Sequence, residues 1–327
     1  MRKRTPAARP ATRAGLARLV GRSPAMARLL EQIRHLGSTT GPVLVTGERG
    51  TGKGLVAEVL HEQGTRRGPF VRVSGAGAAD ALGGELFGVA AAAGRPARPG
   101  AIEAAAGGTL FLDEVSALPP ALQSGLLRLV RDRAFEPAGG GPTRIADVRV
   151  IASSTRDLAA EAAAGRFRPD LYERLAVVRL ALPPLRERPE DIPLLAATLV
   201  RELDRAHGRR ITGLTRGVLD RLGRHRWPGN VRELRDVLES MVAFADGRRP
   251  LDLDDLPRAL REPRGAGEKV ELAVGTTVAE AERQLIEATM RHTGGDKRRA
   301  AAMLGIGLRT LYRKLGRRPQ PRAPRGR

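Results

Sequence analysis

The stretch Gly47-Glu48-Arg49-Gly50-Thr51-Gly52-Lys53-Gly54, set directly after the apolar run Val43-Leu44-Val45-Thr46, constrains this chain more than any other. A β-rich run, a glycine-rich loop and a helical stretch from Leu55 to Glu62 form a strand–phosphate loop–helix unit. The glycines let successive backbone N–H groups turn inward around phosphate oxygens. The helix N-terminus adds positive dipole, and Lys53 is placed to reach the β- and γ-phosphates. The final position departs from the usual pattern, because Gly54 stands where a Ser or Thr hydroxyl would meet Mg²⁺. The loop therefore predicts a nucleotide, and its last residue asks how that nucleotide is used.

A chain of 327 residues has room for two or three domains. Short β-rich runs alternate with helical stretches from Leu16 to about Leu182: Val43–Thr46, Phe70–Val73, Thr109–Leu112, Val148–Ala152 and Val177–Leu182. Five such runs spaced by helices predict a parallel sheet covered on both faces. From Pro183 to about Leu260 strands give way to amphipathic helices at Ile192–His207, Thr215–Leu222 and Val231–Phe244. Pro263-Arg264-Gly265-Ala266-Gly267 reads as a linker. The chain holds no cysteine, which excludes disulfides and thiolate metal sites and fits a reducing cytoplasm. No apolar run approaches the roughly 18–20 residues needed to cross a bilayer.

Thr109-Leu110-Phe111-Leu112-Asp113-Glu114 is an apolar strand ending in two carboxylates, about 60 residues after the phosphate loop. In a phosphate-loop fold, Asp113 would hold Mg²⁺ and Glu114 would polarise the attacking water. On its own the same stretch could be a buried strand capped by surface acids. Its place after the loop favours the catalytic role.

Four stretches carry a resemblance: Gly107-Gly108-Thr109-Leu110-Phe111-Leu112-Asp113-Glu114, Phe167-Arg168-Pro169-Asp170-Leu171-Tyr172-Glu173-Arg174-Leu175, Leu182-Pro183-Pro184-Leu185-Arg186-Glu187-Arg188 and Trp227-Pro228-Gly229-Asn230-Val231-Arg232-Glu233-Leu234. Together they resemble the AAA+ ATPase module of the sigma-54-dependent bacterial enhancer-binding proteins. The likeness starts at Leu19-Val20-Gly21-Arg22-Ser23-Pro24 and runs nearly ungapped to about Phe244. It resumes in a C-terminal unit similar to that family's Fis-type helix-turn-helix.

The resemblance implies an α/β AAA+ phosphate-loop sheet with a helical lid, followed by an all-α helix-turn-helix domain. The expected organisation is a basic disordered tail over 1–15, the α/β subdomain over 16–185 and the lid over 186–262. A linker over 263–275, the DNA-binding domain over 276–316 and a basic tail over 317–327 complete it. The resemblance further implies homo-oligomeric rings, usually hexamers, with ATP at subunit interfaces. Arg168 and Arg174 then match arginines reaching into the neighbour's site, Arg232 the lid arginine that senses the γ-phosphate, and Thr155 the position of the sensor residue after the fourth strand. In a chain with 52 arginines, Arg168 and Arg174 could equally be a solvated helix face.

Four departures bear on mechanism. The family places Glu where this chain has Gly54. Its Asn after the second strand aligns with Ser74, and its sensor Asn with Thr155, so each site keeps a hydroxyl but lacks the amide's paired donor and acceptor. The largest departure lies between Glu85-Leu86-Phe87-Gly88 and Gly100-Ala101-Ile102-Glu103. There the family carries the Gly-Ala-Phe-Thr-Gly-Ala loop that presses on sigma-54. Here Val89-Ala90-Ala91-Ala92-Ala93-Gly94-Arg95-Pro96-Ala97-Arg98-Pro99 is shorter and has neither the Phe nor the Thr. Without a large apolar anchor, this loop argues against remodelling of sigma-54.

The net charge of +21 is concentrated at the ends, with seven basic and no acidic residues in 1–22 and thirteen against four in 276–327. Such ends point to a polyanion, although 52 arginines against 5 lysines could equally be compositional drift. Within the C-terminal unit, Lys297 to Leu304 and Gly307 to Leu315 read as two short helices about a turn at Gly305. Leu308, Leu311, Tyr312 and Leu315 form an i, i+3, i+4, i+7 stripe expected to face the core. Arg309, Thr310, Arg313 and Lys314 then point outward as a recognition helix requires, and Lys297, Arg298 and Arg299 suit phosphate contacts on double-stranded DNA. A solvated basic helix in a capping bundle is the alternative. The helix from Val278 to Arg291 fits a dimerisation role, as in similar modules.

Two functions follow from different classes. One is a cytoplasmic, DNA-binding transcriptional activator that hydrolyses ATP, slowly, and works on RNA polymerase holoenzyme. The other is a DNA-binding regulator whose ATP site controls assembly or is vestigial. No receiver or ligand-sensing domain fits in residues 1–22, so regulation is expected from partners, expression or nucleotide state.

Overall fold

A computed structural model describes residues 16, 18–37, 39–91, 96–261, 270 and 272–316. The two basic tails and the linker motif at 263–267 lie outside the described residues. The chain divides into two compact units, residues 1–257 and 258–327.

In the first unit the chain alternates helix and strand: α1 (Pro24–Leu36), β1 (Val43–Thr46), α2 (Lys53–Gln63), β2 (Phe70–Ser74), α3 (Ala79–Phe87) and β3 (Thr109–Asp113). After α4 (Pro120–Asp132) and a small hairpin of β4 (Ala134–Phe135) and β5 (Arg144–Ile145) come β6 (Arg149–Ser154), α5 (Leu158–Ala163), α6 (Pro169–Leu175) and β7 (Arg179–Ala181). Five strands form one parallel sheet in the order β2-β3-β6-β1-β7. The sheet and its flanking helices bear out the α/β expectation.

Strand pleat explains the two covered faces. On β1, Leu44 points to one side, where Leu110, Leu112, Val150 and Ala152 meet α3, α4 and α6 through Leu86, Leu126 and Leu171. Val43 and Val45 point to the other, where Phe111, Ile151 and Leu180 meet α1 and α2 through Ile33, Val56 and Leu60. Because both faces are buried, the strands read as continuous apolar runs rather than alternating ones. The expected run Val177–Leu182 forms a shorter strand at the sheet edge, paired with β1 through Arg179–Ala181. The β4–β5 hairpin was not expected; two residues per strand leave no periodicity to read.

The lid follows as α7 (Ile192–His207), α8 (Arg216–Arg224) and α9 (Asn230–Phe244). Leu195, Leu199, Leu203, Val218, Leu222, Leu234, Leu238 and Met241 are buried at helical spacing and make its core. Asp191 anchors the lid's start to the sheet domain. Its fully buried carboxylate accepts Arg22 N at 2.6 Å, Ser23 N at 2.8 Å and the Ser23 hydroxyl at 2.8 Å.

In the second unit, α10 (Val278–His292), α11 (Lys297–Met303) and α12 (Leu308–Leu315) pack around Ile286, Ala300, Ala301 and Leu311. Thr277 and Glu280 form a capping box at the start of α10, and Asp296 caps α11. Gly305, at φ +66°, makes the turn between α11 and α12.

Candidate nucleotide site and nucleic-acid interface

The ends of β1 and β3 open into a cavity of about 1000 Å³ that reaches under the lid. Its lining includes the apolar side chains Leu19, Val20, Met26, Leu29, Leu182 and Leu199. It also includes residues 48–54, Arg72, Asp113, Glu114, Thr155 and Arg232. A lining that joins both kinds suits a ligand with an apolar base and a charged tail.

The glycine-rich loop has the backbone the sequence demands. Gly50 has φ +80°, and an added Cβ would sit 2.1 Å from the Gly229 carbonyl oxygen of the lid. Only glycine allows that approach. Lys53 is buried at the first turn of α2, where its ammonium donates to the carbonyls of Gly47 at 2.9 Å and Glu48 at 3.2 Å. It also pairs with Glu114 at 3.1 Å. Thr51 is buried and donates to the Glu48 carbonyl at 2.8 Å, which tightens the loop. Gly47 and Gly52 carry φ +150° and +108°, so the loop turns where side chains would be strained.

Glu114 adopts the left-handed conformation, φ 59° and ψ 55°. A non-glycine residue held there marks a constrained site. Its backbone N–H donates to the Ser153 hydroxyl at 3.0 Å. Its carboxylate bridges Lys53 on one side and Thr155 on the other, accepting from Thr155 N at 2.9 Å and Thr155 Oγ1 at 2.7 Å. Ser74 does not reach Glu114; its hydroxyl accepts Ala76 N at 3.3 Å. Thr155 holds the glutamate from the neighbouring strand β6 instead.

Asp113 accepts the Ser153 hydroxyl at 2.6 Å on Oδ1 and a guanidinium N–H of Arg72 on Oδ2. Burial pushes its carboxyl upward, but those two hydrogen bonds and the nearby positive charges outweigh it, leaving it below the ordinary carboxylate range. Mg²⁺ ordinarily takes one or two carboxylates together with phosphates and water. Among the described residues no cluster of three or more His, Cys, Asp or Glu could hold a metal. Asp113 is the carboxylate that fits, though both of its oxygens are already bonded.

The lid touches the loop directly. Asn230, fully buried with φ 54°, accepts Leu185 N at 2.7 Å and donates to Glu48 Oε2 at 3.1 Å and the Arg49 carbonyl at 3.0 Å. Arg186 makes a fork to Glu48 at 2.7 and 2.8 Å. That guanidinium and the Asn230 amide hold Glu48 below the ordinary carboxylate range. Glu48 thus faces the lid, while Arg232 donates its backbone N–H to the Gly50 carbonyl at 3.3 Å and lines the cavity. Asn230 is the residue sequence reasoning passed over, although the Trp-Pro-Gly-Asn stretch was its signal.

Arg168 and Arg174 are not brought into this cavity. Arg168 reaches Asp170 at 2.7 and 3.0 Å and Ser124 at 3.2 Å, and Arg174 is exposed on α6.

In the C-terminal unit, Lys297, Arg298, Arg299, Arg309 and Arg313 are exposed, and Thr310 is half-buried. Two expectations need correction. Lys314 does not stand free with the others, because its ammonium binds both carboxylate oxygens of Glu282 on α10, at 2.5 and 2.6 Å. Tyr312 is not core: its side chain is half exposed, with the Lys297 ammonium 4.8 Å from the ring centroid. Of the apolar stripe only Leu311 is buried, since three short helices offer nothing to cover Leu308 and Leu315.

Residues 19–181 match the family "Sigma-54 interaction domain", 186–272 "AAA+ ATPase lid domain" and 277–317 "Bacterial regulatory protein, Fis family". The response regulator protein PilR of Pseudomonas aeruginosa is 41% identical over 308 residues, covering 91% of this chain and 69% of PilR. The transcriptional regulatory protein ZraR of Escherichia coli K12 is 39% identical over 316 residues, covering 94% of this chain and 70% of ZraR. Among solved structures, NtrX from Brucella abortus in complex with ATP superposes with a TM-score of 0.71 at 33% identity, covering 91% of this chain and 68% of NtrX. The chain belongs to the sigma-54 interaction AAA+ family of bacterial transcriptional regulators with a C-terminal Fis-type helix-turn-helix.

Proposed function

We propose that this chain binds ATP in the cavity at residues 47–54 and hydrolyses it to control transcription from DNA held by its C-terminal unit. The observation that carries the reading is Glu114, strained into the left-handed region and bridged between Lys53 and Thr155 beside the loop. NtrX was solved with ADP and with ATP, which supports the choice of nucleotide.

In this reading Lys53 exchanges its loop carbonyls for phosphate oxygens, and Glu114 leaves it to polarise the attacking water. Thr155 keeps the freed carboxylate oriented. Asp113 would hold Mg²⁺, which would supply neutralisation of the charge developing on the phosphates. Arg232 reads the nucleotide from the lid. Arg168 and Arg174, exposed and away from their own subunit's cavity, serve the neighbour's site in a ring of identical chains. The C-terminal units pair through the apolar side of α10, where Val278 and Leu285 are exposed, and Arg309, Thr310 and Arg313 enter the major groove. Lys297, Arg298 and Arg299 contact phosphates, with Lys314 joining them if it leaves Glu282.

A second reading, that the output is not sigma-54, is favoured by one segment. Val89 and Arg98 exchange backbone hydrogen bonds at 2.8 and 3.0 Å as an isolated antiparallel bridge, and residues 92–95 between them lie outside the described residues. Its sequence offers no aromatic anchor. Transcription in vitro from a bound promoter, with sigma-54 or the housekeeping sigma factor, separates the readings. ATP-dependent open complexes that vanish in Glu114→Gln support the first. ATP-independent regulation of the housekeeping polymerase supports the second and overturns the first.

A further inference from the structure

Arg72 lines the cavity and has no part in the scheme above. It sits on β2 in register with Phe111 of β3, so the two side chains stand together on one face of the sheet. Its guanidinium carbon lies 5.6 Å from the Phe111 ring centroid, and one N–H bonds Asp113 Oδ2. It lies beside residue 54 at the first turn of α2. A Cβ added at Gly54 would lie 3.4 Å from Nη1, 3.7 Å from Cζ and 3.8 Å from Nη2 of Arg72. Those are ordinary contact distances, so a side chain at position 54 would stand directly against the guanidinium.

The electrostatic consequence of the Arg72–Asp113 pair concerns the metal. The carboxylate that would attract a divalent cation is already paired with a cation belonging to the protein. The Arg72 side chain is 53% exposed, and a pair so open to water is held weakly. A guanidinium fits phosphate oxygens as well as it fits a carboxylate, so exchange between the two needs little rearrangement. Lys53 and Arg72 both line this cavity, so two cations of the chain can meet the phosphates there.

We propose that Arg72 is a nucleotide-binding residue: paired with Asp113 in the nucleotide-free chain, it turns to the terminal phosphates of a bound nucleoside polyphosphate and supplies in binding part of the positive charge a divalent cation would bring. Nucleotide binding by this chain therefore depends only weakly on Mg²⁺. The inference rests on the ATP site proposed above.

The test is an equilibrium titration of the full chain with a fluorescent methylanthraniloyl ADP, in excess Mg²⁺ and in EDTA. Wild type, Arg72→Ala, Arg72→Lys and Gly54→Glu are compared. Wild type is expected to lose less than about threefold in affinity when Mg²⁺ is removed, while Arg72→Ala loses about tenfold or more, the worth of one charge-assisted hydrogen bond. Arg72→Lys keeps part of the metal independence. Gly54→Glu sets a carboxylate beside the guanidinium, draws it from Asp113 and renders binding Mg²⁺-dependent without touching Arg72 itself. An equal ratio of Mg²⁺ to EDTA affinity in wild type and Arg72→Ala overturns the inference and leaves the ATP site standing. Failure of wild type to bind in Mg²⁺ overturns the ATP site and the inference together.

Discussion

Glu114 and Thr155 show how one pair of side chains sets the state of the site. Glu114 is bonded to the residue that should bind phosphate, Lys53, and to the hydroxyl and amide of Thr155. A nucleotide that takes Lys53 leaves Glu114 on Thr155 alone. Replacing Thr155 by Val removes the hydroxyl but keeps the amide bond. Hydrolysis is then expected to fall about tenfold, the value of one charged hydrogen bond, with nucleotide affinity unchanged. Phosphate-release kinetics alongside a binding titration check this. Lys53 was legible from spacing alone, because a glycine-rich loop after an apolar strand has few other uses. The Thr155 contact was not, since it depends on the parallel register that sets the ends of β3 and β6 side by side.

Among the elements, the join between lid and loop carries the most consequence. Asn230 is 182 residues from Glu48, yet satisfies Leu185 N, Glu48 and Arg49 from inside the protein. Asn230→Ala leaves a buried N–H without a partner and is expected to cost about 1–3 kcal/mol, read as a lower Tm in thermal denaturation. Nucleotide affinity should fall as well, because the lid loses its register on the loop. The helices of the lid were legible from 3.6-residue periodicity, and Ile192–His207 coincides with its expected span. The turn at Asn230 had a local signal in Trp-Pro-Gly-Asn, but its bonds to Glu48 and Arg49 were not legible, because they depend on how the lid meets the loop. In the C-terminal unit periodicity was right about Leu311 and wrong about Tyr312, because a stripe shows which side is apolar and not whether anything covers it. Arg309 and Arg313 remain exposed on that helix, and replacing either by Ala should weaken DNA binding and lower the salt slope by about 1. Fluorescence anisotropy across a salt series measures both.

At the scale of the whole molecule, the proposed ring makes the site of one chain incomplete by itself. The cavity gathers Lys53, Asp113, Glu114, Thr155 and Arg232, while Arg168 and Arg174 stay on the outside of the same subunit. Finger arginines supplied by a neighbour would raise hydrolysis by orders of magnitude over the lone chain. The steady-state ATPase rate per subunit should therefore climb with protein concentration and then level as rings fill. The most direct test of the central claim is that rate, measured across concentration for wild type and Glu114→Gln, with nucleotide binding measured in parallel. The account predicts a concentration-dependent rate in wild type and a loss of about 100-fold or more in Glu114→Gln, with binding retained. Equal rates for the two proteins, at concentrations where wild type is fully assembled and nucleotide-bound, would contradict it.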